Sequence, residues 1–434
     1  MNTPIHDFLQ DYAARLPVRC HMPGGKGQND PFDITEIYGA DSLYESVGII
    51  LESEKNAAAL FGAGDTLYSC GGSTLCIQGM LGTVRALTEK RTIAAGRYSH
   101  RSLVSACALL GFEVRWIDPG EFLGAVVSPE AVDAAIDGDT AAVFLNAVDY
   151  YGGTADIAAI AEVCHRRGVL FLVDNAHGAY RVFTDDHPIT RGADMTADSA
   201  HKTLPALTGA AYLHLKSPAH RPAAKKAMAL FGSSSPSYLM MDSLDLCNRF
   251  LSEGAERARQ AMEDTARLKE ELKRLGFTLR NSDALRVSDP LRITVDAAAF
   301  GYTGDGLAAL LRESGAECEM SDERYTVLLF SAVQPREDFS RLSEIFLGIP
   351  QKPSFTIPPH KLLKPECVLS LREALFSEKK TVKTETAEGR ICAEIVSPCP
   401  PCVPLVMPGE RIDGDCVEEL LRYGVREIPC IKER

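Results

Sequence analysis

The chain is predicted to be an α/β protein, with a large domain built on a mostly parallel sheet and a smaller α/β domain toward its C-terminus. Three observations predict this. From about residue 47 to 216, short apolar or β-branched runs alternate with longer helical patterns, as βαβ units require. A charged helical run, EGAERARQAMEDTARLKEELKRLG (253–276), then separates this region from a second, distinct α/β pattern. The length of 434 residues suits about two or three domains, expected at 1–250, 251–345 and 346–434.

The elements follow in order. VGIILESEKNAAALFGA reads as a helix, DTLYSC as a strand, and STLCIQGMLGTVRALT as a helix opening at Ser73. RTIAAG, EVRWID, AAVFLNAV and VLFLVD are apolar strands, separated by the helical HRSLVSACALL, SPEAVDAAIDG and DIAAIAEVCHRRG. The charged run ends at Gly276, where a left-handed residue stops a helix. LRITVDAAAF, GDGLAALLRESG, YTVLLF and QPREDFSRLSEIFL form the second pattern, and the Pro-rich QKPSFTIPPHKLLKPE opens a last segment.

Composition narrows the function. Hydrophobic residues at 45% and charged residues at 24% fit a folded globular protein. No apolar run is long enough to cross a bilayer, and Asp7 and Asp11 break the N-terminal segment, so neither a membrane anchor nor a secretory signal is expected. The cytoplasm is the expected compartment, and the thirteen scattered cysteines read as reduced thiols. With 46 basic against 59 acidic side chains the net charge is -13, which lacks the basic footprint of nucleic-acid binding.

Four segments carry polar residues where a sheet of this kind places its ligands, beyond the carboxyl ends of the strands. CGGSTLC (70–76) sets Ser73 and Thr74 at a helix start, where free N–H groups suit a phosphate; it equally suits a glycine turn with a serine cap. In LFLVDNAHGAY, Asp174 ends an apolar strand, a costly place for a carboxylate unless a cation meets it; capping of the next turn is the plainer reading. GRYSHRSL places His100 after the RTIAAG strand, where packing or capping also accounts for a histidine. SAHKTL holds Lys202, 28 residues after Asp174, on the next strand pattern. Together they suit a cofactor with a phosphate, a basic ring nitrogen and an aldehyde, namely pyridoxal 5′-phosphate (PLP), whose enzymes use a Schiff-base lysine and an acidic partner.

The ordered motifs HMPGGKG (21–27), GGST (71–74), SHRS (99–102), YYGGTAD (150–156), DNAHGA (174–179), SAHKTLPALTG (199–209), SSSPSY (233–238) and PPCVPLVMPGERI (400–412) resemble the Orn/Lys/Arg decarboxylase family, a fold-type-I class of PLP enzymes, in its short version without an N-terminal wing domain. The resemblance spans nearly the whole chain. It implies that Lys202 bonds the cofactor aldehyde, that Asp174 pairs with the pyridine nitrogen and that His100 stacks on the ring. It also implies phosphate contacts from Ser73, Thr74, Ser199 and His201, with Ser234 reaching in from a neighbouring subunit. Ala176 and His177 would lie near the ring, and His201 and Lys202 are candidates to return a proton to Cα. A homodimer or larger assembly with shared sites follows.

The chain departs from the family at Gly25, where a second histidine is usual, at LYESVG (43–48), and at Val148 and Asp149. A basic amino-acid substrate needs an acidic partner for its distal cation, and Glu45 and Asp149 are the candidates; each also reads as a solvated loop carboxylate. The expected activity is decarboxylation of arginine, lysine or ornithine. Its rivals are another PLP reaction (aldol cleavage, β-elimination or transamination) and a catalytically silent paralogue with a structural or regulatory role. CPPC (399–402) has no second Cys or His pair at ligand spacing, so no metal site is expected.

Overall fold

The computed structural model describes residues 1–119, 126–280, 289–397 and 404–432. The CPPC stretch lies outside the described residues. The chain forms two compact units, one made of Met1–Glu89, Ile157–Gln260 and Ser331–Val333, the other of Lys90–Asp156, Ala261–Phe330 and Gln334–Arg434.

The expected fold class holds: α/β, with a large, mostly parallel sheet. Its strands are β1 (Asp65–Ser69), β2 (Thr92–Gly96), β3 (Glu113–Ile117), β4 (Thr140–Asn146), β5 (Leu170–Asp174), β6 (Met195–Asp198) and β7 (Ala211–Leu215). In the first unit the order is β1-β7-β6-β5. There β5 and β6 are parallel, and β7 runs against both β6 and β1. In the second unit β2 lies between β3 and β4, parallel to each. Every residue of β1, β2 and β7 is buried, and none of the three shows the polar-apolar alternation of a strand with one face in water.

The reversal at β7 is local in origin. Between β6 and β7 the chain forms only a four-residue helical turn, Ala200–Thr203. A parallel return usually takes a full crossover helix, which the twelve residues 199–210 do not form, and the chain comes back antiparallel. Lys202, expected on a strand pattern, therefore sits on that turn, just past β6.

The charged run forms the helix Ala255–Arg274, and Gly276 follows with φ of 92°. Beyond it, in the second unit, β8 (Thr278–Leu279), β9 (Arg292–Asp296), β10 (Met320–Ser321) and β11 (Tyr325–Leu329) form an antiparallel sheet in the order β10-β11-β9-β8. The same unit includes the antiparallel pair β12 (Lys379–Lys383) and β13 (Glu427–Ile431) and the helix Gly414–Arg422. Leu363, Val406, Ile412, Leu420 and Ile428 of this last segment share one buried apolar cluster with Tyr98 and Tyr151. Arg97 and Glu410 add a buried two-point ion pair, Nη1 to Oε1 at 2.6 Å and Nη2 to Oε2 at 3.0 Å. The C-terminal segment thus holds the loop that leaves β2.

Candidate active site

Because β5 and β6 are parallel neighbours, with Asp174 beside Ala197, their carboxyl ends deliver two turns to one edge of the sheet. The first turn follows Asp174, whose Oδ1 accepts from the Ala176 amide at 3.0 Å; it closes with the Gly178 amide donating to Asn175 O at 2.8 Å. The second opens at Ser199 and carries His201 and Lys202. Lys202 Nζ lies 2.9 Å from His177 Nε2. An Nζ–H donates to that ring nitrogen, so a proton on either atom is one hydrogen bond from the other. Asp174, Ala176, His177 and Ser199 are buried, while His201 and Lys202 are half-buried. His201 Nδ1 lies 3.1 Å from the Ala210 carbonyl, to which it donates, which leaves Nε2 as the acceptor nitrogen.

The GGST segment begins the helix Gly72–Leu87. Gly72 has φ of 65°, and no heavy atom lies within 4 Å of where its Cβ would be, so the helix start is open. Ser73 is half-buried and Thr74 exposed, at a helix end whose N–H groups and dipole favour an anion. The Gly72 amide donates to Gly209 O at 2.8 Å, tying this helix start to the chain that leaves the Lys202 turn.

The second unit holds two more of the expected residues. His100 caps the helix Arg101–Leu110: its Nδ1 accepts from the Ser102 amide at 3.3 Å and lies 2.8 Å from Ser102 Oγ. Asp149 is 2% exposed, and its Oδ1 accepts from the Tyr151 and Gly153 amides at 2.9 and 2.8 Å. Its carbonyl also accepts from Arg292, so Asp149 shapes the YYGG turn. In the first unit, Glu45 is the exposed last residue of the turn Leu43–Glu45, whose Leu43 is buried, and Ser234 is exposed within SSSPSY.

Sequence reasoning missed a buried polar group behind the two turns. His187, Asp198 and His214 bring one donor atom each within 4.8 Å of one another. Burial pushes the His214 imidazole down to about 3, so it is neutral. His187 Nδ1 accepts from the Ile189 amide at 3.3 Å, which puts the ring proton on Nε2, facing Asp198 at 2.7 Å. That nitrogen is a donor to a carboxylate rather than a metal ligand. Asp198 ends its strand as Asp174 does, but no local pattern links it to His187 or His214.

Two domain families match the chain: Orn/Lys/Arg decarboxylase, major domain, over residues 3–298, and Orn/Lys/Arg decarboxylase, C-terminal domain, over 351–423. The uncharacterized protein YaaO of Bacillus subtilis is 31% identical, over 97% of this chain and 94% of its own. The arginine decarboxylase of Bacillus anthracis is 30% identical, over 96% and 92%. Among solved structures, the lysine decarboxylase LdcF of Francisella novicida superposes with a TM-score of 0.82 at 16% identity, covering 99% of this chain and 81% of its own. Among the described residues no helix is long and apolar enough to cross a membrane.

Proposed function

The chain belongs to the Orn/Lys/Arg decarboxylase family and is a decarboxylase; from that premise we propose that it releases CO2 from arginine, lysine or ornithine, using PLP. The observation that carries this reading is the 2.9 Å approach of Lys202 Nζ to His177 Nε2, on the sheet edge where Asp174 also ends its strand.

The residues fit the cofactor. Lys202 is the amine for its aldehyde, Asp174 the carboxylate for its ring nitrogen, and the open helix start at Ser73 and Thr74, with Ser199 and His201, the cradle for its phosphate. When bound, PLP supplies a sink for the electron pair left on Cα as CO2 departs. Asp174 keeps the proton on the ring nitrogen. His177 holds or moves a proton at Lys202 Nζ, and His201 Nε2 is a second acceptor for the proton that returns to Cα. The family resemblance assigns Ala176 a place near the ring and His100 a stacking role. Ser234, exposed on its loop, reaches the phosphate of a neighbouring subunit, so the enzyme is a homodimer or larger. Glu45 is the better candidate for the substrate's distal cation, because an oxygen of Asp149 is already engaged in its turn. The enzyme works in the cytoplasm.

The test is incubation of the purified protein with PLP and each of the three amino acids. Agmatine or the matching diamine is expected from at least one, with little turnover of neutral analogues of equal length. Return of all three unchanged, with another amino acid cleaved, eliminated or transaminated, would reassign the reaction.

A further inference from the structure

The Asp174 turn and the Lys202 turn are joined from beneath by buried side chains. Asp198, the last residue of β6, is fully buried, and its Oδ2 accepts from Asn175 Nδ2 at 2.9 Å and from His187 Nε2 at 2.7 Å. Asn175 directly follows Asp174, and Asp198 directly precedes the turn that carries Lys202. The Asn175 amide also donates to Ala197 O at 2.9 Å.

Each member is fixed in turn. The His187 ring is held by the Ile189 amide and packs edge-on against Phe61, with 5.1 Å between ring centroids. A Cβ on Gly178 would fall 2.1 Å from Asn175 Oδ1, so a glycine there lets the Asn175 side chain lie across its own turn. Burial alone would raise the Asp198 carboxyl; His187 against it and the Asn175 amide outweigh that and hold it below the ordinary range. A buried carboxylate is tolerated only with such donors around it, so the geometry is strongly determined.

We propose that Asp198, His187 and Asn175 form a clasp that sets the separation between Asp174 and Lys202, and that all three are positioning residues for the decarboxylation. This rests on the PLP reading of Asp174 and Lys202. The two residues must meet opposite parts of one rigid ring, and a displacement of about 1 Å at such a site can cost up to about a hundred-fold in rate.

The test compares the full-length wild type with Asn175→Ala, His187→Leu and His187→Gln, each with PLP supplied. Three quantities are read: the visible absorption and borohydride-fixed adduct at Lys202, kcat and KM separately, and the thermal midpoint without cofactor. Asn175→Ala and His187→Leu should lower kcat by about ten-fold or more and alter the absorption, with KM within roughly two-fold of wild type. His187→Gln, whose amide can still donate to Asp198, should recover most of the loss. Gly178→Ala displaces the Asn175 amide without removing any of the three groups, and should show the same fall in kcat even if another variant does not fold. Wild-type kcat and absorption in Asn175→Ala, or equal losses in His187→Gln and His187→Leu at matched thermal midpoints, would overturn the clasp. A wild type that forms no adduct at Lys202 would instead overturn the PLP reading, and the clasp's catalytic role with it.

Discussion

Lys202 Nζ and His177 Nε2 stand 2.9 Å apart, on turns that leave two neighbouring parallel strands. The pairing places a base within hydrogen-bond reach of the lysine amine. His177→Gln keeps a polar side chain but cannot carry a proton in the same way. It should lower kcat by roughly a hundred-fold or more, as loss of a positioned acid or base does, while borohydride still fixes PLP on Lys202. Steady-state kinetics with peptide mapping checks this. Turnover at the wild-type rate would remove His177 from the proton path.

Asp174→Asn should still permit the covalent bond between Lys202 and the cofactor. Turnover should fall sharply, because a neutral amide does not hold the ring-nitrogen proton and the electron sink weakens in the transition state more than in binding. Cofactor affinity, measured by equilibrium dialysis, should also fall through loss of a charge-assisted hydrogen bond. Unchanged turnover would refute the role.

Much of this architecture was legible in the sequence. Runs such as RTIAAG and VLFLVD stand out because strands buried on both faces carry no polar alternation. Asp174 and Lys202 were legible because each interrupts or follows such a run. The direction of β7 was not, since it depends on the absence of a crossover helix between Asp198 and Ala211 rather than on any local pattern. Nor was the group of Asn175, His187 and Asp198. Each of these residues alone suits a turn or a cap, and only the parallel pairing of β5 and β6 brings them together. The buried setting of Asp149 was likewise hidden, because a carboxylate that accepts backbone N–H groups looks the same in sequence as one that faces a ligand.

Arg97 and Glu410 are both buried, so removing one leaves the other charge without its partner. Glu410→Ala should cost about 3–5 kcal/mol in the stability of the second unit, and the double change Arg97→Met with Glu410→Leu should restore part of it. Urea unfolding followed by fluorescence gives the measurement. Since His100 lies three residues beyond Arg97, activity should fall with Glu410→Ala as well. A stability equal to wild type would show that the pair does not hold the loop.

Burial raises the Asp245 carboxyl from 3.8 to about 6, even though it accepts from the Ile5 and His6 amides and from Ser53. A folded-state value above the unfolded one means the folded form binds the proton more tightly. The associated stability is present below about 3.8 and is lost as pH rises through about 6. Asp245→Asn should therefore gain on wild type by on the order of 3 kcal/mol between about pH 4 and pH 7. Paired denaturation curves across that range provide the check. A difference independent of pH would contradict the assignment.

The most direct test of the central claim is to run the reaction in deuterated water with PLP and the best of the three basic amino acids, and to analyse gas and amine by mass spectrometry. The account predicts CO2 and amine in equal amounts, with a single deuterium at the former Cα, placed stereospecifically because protonation occurs within an ordered site. Recovery of a keto acid, of a cleaved side chain, or of unreacted substrate with deuterium exchanged at Cα and no CO2 would contradict it.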